Sequence, residues 1–125
     1  MRSLKMLLMG AAALLIMAVA KPALAVNFTC TPLQVGSFEG GAPNNRVHVL
    51  CTTSTPDAGN NIFFFAVPAA DTAYANRFIS IATAALTTGR TLVIGFTSGK
   101  STDLNNAAFG CLSTDCRYAS SIIIQ

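Results

Sequence analysis

Few residues of this chain are equipped for chemistry. It has one histidine, His48, four cysteines and five carboxylates among 125 residues. General acid–base catalysis draws on histidine or on paired carboxylates. His48 stands alone between Val47 and Val49, an alternation that turns it toward solvent or a neighbouring element. A Ser-His-Asp site needs a marked nucleophile, and no serine here is marked as one. Glycine motifs that cradle phosphates are missing; Gly36, Gly40 and Gly41 read as hairpin glycines. Asn27-Phe28-Thr29 has the form of a glycosylation acceptor, a tripeptide common by chance. No enzymatic activity, cofactor or metal is expected.

The cysteines therefore read as structural. Zinc-type ligand spacing is absent, and export favours oxidation over metal binding. Cys111 and Cys116 enclose Leu112-Ser113-Thr114-Asp115, a polar gap suited to a small disulfide loop. Cys30 and Cys51 are placed symmetrically about Gly40-Gly41, so a hairpin turning there would set them opposite each other. The favoured pairing is Cys30–Cys51 with Cys111–Cys116.

Export is written at the N-terminus. Arg2 and Lys5 precede an apolar run, Met6–Ala20; Lys21-Pro22 breaks it, and Ala23-Leu24-Ala25 carries small residues at the cleavage positions. These are the three regions of a secretory signal peptide, and the run is short for a membrane span of about 20 residues. Residues 1–25 are thus expected to be a leader, and 26–125 one secreted or periplasmic domain. Three of the eight basic residues lie in the leader, which leaves five, Arg46, Arg77, Arg90, Lys100 and Arg117, against five acids. A chain with no net positive field is a poor ligand for nucleic acid. Its low charge instead suits a surface that is buried in an assembly.

The mature chain reads as three strands, a helix and two strands. Leu33–Phe38, Arg46–Thr52 and Ile62–Val67 are the first three, with turns at Gly40-Gly41 and Pro56–Asn61. Asp71 is a good N-cap, and Tyr74, Phe78, Ile81, Ala82 and Ala85 form a helical apolar stripe that ends at Gly89. Thr91–Phe96 is the fourth strand, Ser98–Asn106 a polar loop and Tyr118–Gln125 the fifth strand. This order fits a mainly β, OB-fold-like five-stranded barrel with one helix between strands three and four, a fold used to bind oligosaccharides and oligonucleotides. Phe63-Phe64-Phe65 and Ile122-Ile123-Ile124 put apolar side chains on both faces of their strands. Barrel interior plus a covering element would explain them, and so would a subunit interface.

Several stretches resemble the B subunits of subtilase cytotoxin and typhoid toxin, relatives of the pertussis toxin binding subunits. They are Ala75–Phe96, with Phe78, Ala85, Thr88-Gly89 and Thr91-Leu92-Val93-Ile94; Phe109-Gly110 before the Cys111–Cys116 loop; Leu33-Gln34-Val35-Gly36; and Val49-Leu50-Cys51-Thr52. The resemblance implies a non-catalytic, glycan-binding homo-oligomer, a pentameric ring, which recognises sialylated or acetamido sugars and serves a separate A-type toxin subunit. It places a glycan-contacting hydroxyl at Thr31 and an acceptor at Asn27, where the family carries serine and aspartate. The chain departs from the family in a longer first hairpin at Glu39–Asn45, in the position of Cys30, and in the extension Arg117–Gln125. The competing expectation is a secreted or periplasmic protein-interaction or inhibitor module without glycan binding.

Overall fold

The computed structural model describes residues 24–102 and 108–125. The leader therefore lies outside the described residues except for its last two positions, and so do residues 103–107, which include the end of the expected polar loop. Seven elements follow in order: β1 (Ala25–Cys30), β2 (Pro32–Glu39), β3 (Asn45–Asp57), β4 (Asn60–Pro68), α1 (Thr72–Thr88), β5 (Leu92–Thr97) and β6 (Cys116–Ile124). The chain is mainly β, with one helix and one curled sheet of six strands ordered β1-β5-β6-β4-β3-β2. All neighbours pair antiparallel except β4 and β6, which meet in a short parallel ladder, Phe64–Cys116 to Ala66–Tyr118.

The sixth strand is β1. Val26, Phe28 and Cys30 alternate inward with Asn27 and Thr29 outward, the period-two pattern of a half-buried strand. Its ladder on β5 begins at Ala25, opposite Thr97. Only Thr31 separates β1 from β2, so the two edges of the sheet are consecutive stretches of one bent segment.

Both disulfides form as expected, Cys30–Cys51 and Cys111–Cys116, each with Cα atoms 5.3 Å apart. Two such bonds imply an oxidising compartment. The register around the first differs from the expected one. Pairs from Gln34–Leu50 to Glu39–Asn45 centre the turn on Ala42 rather than on Gly40-Gly41, and Pro32, not Cys30, lies opposite Cys51. Gly41 has φ 82°, so the connection is a wider loop than a two-residue hairpin. A register shift between Pro32 and Gln34 takes up the difference. Cys30 belongs to β1 and faces Leu92; the disulfide thus joins β1 to β3, not two partners on one ladder.

The helix forms where the apolar stripe predicts. Asp71 caps it, its carboxylate accepting the Tyr74 N–H at 3.3 Å, and Gly89 closes it in the left-handed conformation at φ 67°. Ala75, Phe78, Ala82 and Ala85 bury against Val49, Phe65, Leu92 and Ile94 from the sheet. Small residues at three of those four positions let the helix lie close to the strands. Phe65 stands at the middle of the core, with Phe28 at 5.6 Å and Phe96 at 5.4 Å between ring centroids.

A second, smaller cluster covers the other face of β4. Ala66 packs there with Phe109, Tyr118 and the Cys111–Cys116 pair, and Phe64 lies half-buried against them. The apolar strand at 63–65 is thus explained residue by residue. Phe65 faces the core, Phe64 faces the disulfide segment, and Phe63 is left exposed. In β6, Ile122 and Ile124 pack on the core while Ile123 is 60% exposed.

The start of β6 is fastened by a buried ion pair. Arg117, 1% exposed, places Nε 2.5 Å from Asp57 Oδ2. Its Nη1 donates to the carbonyls of Ser113 and Cys116 at 2.7 and 2.8 Å, and its Nη2 to the Asp57 carbonyl at 3.2 Å. The Asp57 carboxylate also accepts the Ser98 hydroxyl at 2.5 Å and the Gly99 N–H at 2.7 Å. Asp57 is held there by the tight turn that joins β3 to β4. Ala58 and Gly59 both have positive φ, 49° and 80°, and Asn60 closes the turn opposite Asp57.

Burial alone would raise the Asp57 pKa. The Ser98 hydroxyl, the Gly99 amide and the Arg117 guanidinium outweigh it and hold the carboxyl below its ordinary 3.8. A carboxyl depressed in the folded state adds stability above pH 3.8, and that stability is lost as pH falls through the lower folded value. We expect Arg117→Met to destabilise the fold by about 3–5 kcal/mol, because it strands a buried carboxylate. Asp57→Asn/Arg117→Met should cost less than Arg117→Met alone and should flatten the loss of stability below pH 3.8. Urea unfolding from pH 2 to 7 measures both; equal losses for the single and double variants would contradict the pairing.

Candidate functional site

Asn27 lies at the middle of β1 with its side chain on the outer face, opposite Gly95, which in turn pairs with Ser121. One row therefore crosses three strands. A β-carbon built on Gly95 would collide with Ser121 Oγ and would sit 3.3 Å from Asn27 Oδ1. Two oxygens converge over a residue that has no side chain, which explains the glycine at a strand interior that would otherwise disfavour it. The next row outward is Thr29, Val93 and Ile123. A hydroxyl and two aliphatic side chains thus flank the converging oxygens.

Thr31 is exposed at the bend between β1 and β2, and its carbonyl accepts the Thr52 N–H at 2.9 Å. It shares strand parity with Asn27, but four residues of extended chain span about 13 Å. The two residues expected to contact sugar are therefore not one cluster. They are separate points along the same bent strand.

A different group of side chains gathers on the outer face of β3, where Arg46, His48 and Leu50 alternate with the core residues Val47, Val49 and Cys51. The Arg46 guanidinium lies 4.5 Å above the Phe38 ring centroid. Its other boundary is Gly110, at φ 84°, where an added β-carbon would come within 2.6 Å of Nη1. His48 is half-buried and meets Phe64 edge-on at 5.6 Å. Its Nδ1 is buried with no hydrogen-bond partner. Desolvation, then the positive charge of Arg46, lower its pKa below 6.5, so His48 is neutral at pH 7.

This group was hidden in the sequence because its members come from β2, β3 and the approach to the disulfide loop. The one local signal was Phe109-Gly110 before Cys111. A glycine there has a structural use, since it gives the Arg46 side chain room.

Of the other polar groups, Asn45 Oδ1 is buried without a hydrogen-bond partner, whereas Arg117, Asp57 and Tyr74 are committed to the fold. Arg117 and Asp57 satisfy each other. The Tyr74 hydroxyl donates to the Ala119 carbonyl at 2.7 Å, and burial, with Tyr118 and Asp71 nearby, pushes its pKa up to about 12. That phenol is not a nucleophile at neutral pH. A cleft of about 300 Å³ opens between Ala42-Pro43 and Pro68–Ala70 against Phe109, but its walls are alanine, proline and phenylalanine apart from Asn45. Among the described residues no three His, Cys, Asp or Glu side chains are grouped to hold a metal ion. No helix among them is long and apolar enough to cross a membrane.

A neutral, buried histidine makes stability depend on pH in a second range. The unfolded chain binds a proton below pH 6.5 that the folded chain resists, so stability is full above 6.5 and falls as the pH drops below it. We expect the wild type to lose stability in two acid steps, the first starting near pH 6.5 from His48 and the second below 3.8 from Asp57. His48→Leu should remove the first step and leave the second. Thermal melts at half-unit pH intervals test this, and a first step that survives in His48→Leu would assign it to another group.

No family model matches this chain, and neither the curated proteins nor the solved structures contain a match to it.

Proposed function

We propose that the protein is a secreted, non-catalytic carbohydrate-binding module on a five-stranded OB-like barrel, of the kind found in toxin B subunits, acting as a homo-oligomer. The topology supports the barrel. If β1 and β2 are counted as one strand bent at Thr31, that strand borders β5 on one side and β3 on the other. The sheet order then returns to its own beginning, and α1 falls between the third and fourth barrel strands, as the OB fold requires. The leader, by its three regions, supports secretion.

The observation that carries the ligand class is the row Asn27–Gly95–Ser121. Sugar rings present hydroxyl and acetamido groups around a C–H face. An amide oxygen and a hydroxyl meeting over Gly95, beside the aliphatic pair Val93 and Ile123, offer both kinds of contact. Thr29 and Thr31 extend the hydroxyl line along the same strand, so an oligosaccharide lying along β1 would reach successive hydroxyls. Single contacts of this sort are weak, and several copies in a ring would add avidity. The exposed Phe63 gives an otherwise weakly charged surface an apolar point for such an assembly.

We expect the mature protein to bind acetamido or sialylated glycans on an array, and to scatter light as an oligomer at micromolar concentration. Asn27→Ala and Thr31→Ala should each lower binding by about 1 kcal/mol per site through a lost hydrogen bond, with unchanged melting. Gly95→Ala should displace Ser121 Oγ and weaken binding more than either. Absence of any glycan signal would put the protein-interaction module in front; a signal that none of the three variants alters would move the sugar site elsewhere.

A further inference from the structure

Arg46 sits in a recess that is built rather than merely exposed. Phe38 supports one face of its guanidinium at 4.5 Å, and Gly110 borders it where any β-carbon would intrude. Open space lies on either side. A chamber of about 170 Å³ is bounded by Arg46, Phe64, Leu112, Asp115 and Cys116. A wider one of about 390 Å³ is bounded by Phe38, Gly40, Asn44, Arg46, Gly110 and Leu112. The wider one is in the range of small-molecule sites, about 300–1,000 Å³. Among the described residues the ion pair formed is Arg117 with Asp57, and no carboxylate reaches Arg46. A half-buried guanidinium held in a fixed orientation by an aromatic ring, with its donors unspent, is a receptor for a planar oxyanion.

We propose that this recess binds a small organic carboxylate, gripped by the Arg46 guanidinium, with its body lying against Leu112. Carboxylate is chosen over phosphate because Asp115 lines the smaller chamber, so a dianion meets more repulsion there than a monoanion. Leu112 is 64% exposed in the Cys111–Cys116 loop, which places an aliphatic wall beside the charge and favours a ligand with a hydrophobic or ring-shaped body. The disulfide and the carbonyl of Asp115, which accepts the amides of Phe63 and Phe64 at 3.1 and 3.0 Å, hold that wall in place. Burial, and after it the Arg46 charge, lowers the pKa of neighbouring His48, and no carboxylate among the described residues forms an ion pair with Arg46. The site does not depend on the carbohydrate row: Arg46 is at the start of β3, six residues before Thr52, which bonds to Thr31.

Amide chemical-shift mapping of the mature protein with benzoate, glucuronate, benzamide, glucose and inorganic phosphate tests the proposal. We expect benzoate or glucuronate to bind in the millimolar range or tighter, with shifts centred on residues 38, 46, 110 and 112, and the uncharged benzamide and glucose to leave those amides unmoved. Arg46→Gln should weaken binding about tenfold or more, and Arg46→Lys, which keeps the charge and loses the fork, should recover only part of it. Benzoate carries no sugar, so its binding is decided separately from glycan recognition; glucuronate binding without benzoate binding identifies the body as a sugar acid. No binding by either carboxylate, shifts located elsewhere, equal binding of benzamide, an unaffected Arg46→Gln, or tighter binding of phosphate would each overturn the assignment.

Discussion

Arg117 is the largest of the fully buried side chains, and it is charged. A guanidinium taken out of water is tolerable only when each of its nitrogens finds an acceptor and a carboxylate faces it. Both conditions are met from parts of the chain far apart in sequence. Asp57 comes from the β3–β4 turn, Ser98 and Gly99 from the end of β5, and Ser113 from the disulfide loop. The ion pair therefore decides where three loops end. It also anchors β6 at its weakest point, the short parallel ladder on β4, where Phe65 faces Arg117. Parallel ladders are slightly less stable per residue, and this one has few rungs. Once Arg117 is fixed, Tyr118 and Ala119 are placed against the helix and the disulfide segment, and the β5–β6 ladder places Ser121 opposite Gly95.

The two disulfides act on different problems. Cys30–Cys51 ties the bend at Thr31 to β3 and so holds the ends of the sheet near each other; loss of such a bond costs roughly 2–4 kcal/mol, a large share for a domain this small. Cys111–Cys116 closes a short loop whose value is positional. It keeps Phe109, Gly110 and Leu112 over the outer face of β4 and next to Arg46. A chain with so few charges and so short a length has little core to spare, and covalent links take over part of the ordering.

What could be read from the sequence was what short-range patterns encode. The helix, with Asp71 and Gly89 at its ends, follows from a 3.6-residue apolar period and local capping chemistry. The Cys111–Cys116 pairing followed from its short polar gap; Cys30–Cys51 was paired correctly, but from a hairpin register that the fold does not use. The strand β1 was missed although Val26, Phe28 and Cys30 alternate, because it merges into β2 through a single residue and a bend leaves no strong turn signal. The hairpin register was missed because Gly40-Gly41 looked like a two-residue turn, while the loop extends to Asn44. Long-range placements had no local signature. Nothing near Asp57 announces Arg117, and nothing near Arg46 announces Gly110. The candidate sugar residues show the same limit: Asn27 was picked out by resemblance, yet its partner Ser121 is supplied by β6, far along the chain.

The distribution of positive charge links these points. Five basic residues follow the expected leader, and their settings differ. Arg117 is spent on Asp57. Arg90 donates to the main-chain carbonyl of Gln125 at 2.7 Å and so fastens the C-terminus to the end of α1. Arg77 lies exposed on the helix, where a solvated charge contributes little. Arg46 forms no ion pair among the described residues and is not fully solvated. It is held against Phe38 in a recess kept open by a glycine, and its field reaches His48. A protein selected only for stability would gain by placing a carboxylate beside such a group or by moving it into water. Among the described residues the fold does neither, and the guanidinium is oriented across an accessible space, the arrangement that the proposed carboxylate site requires.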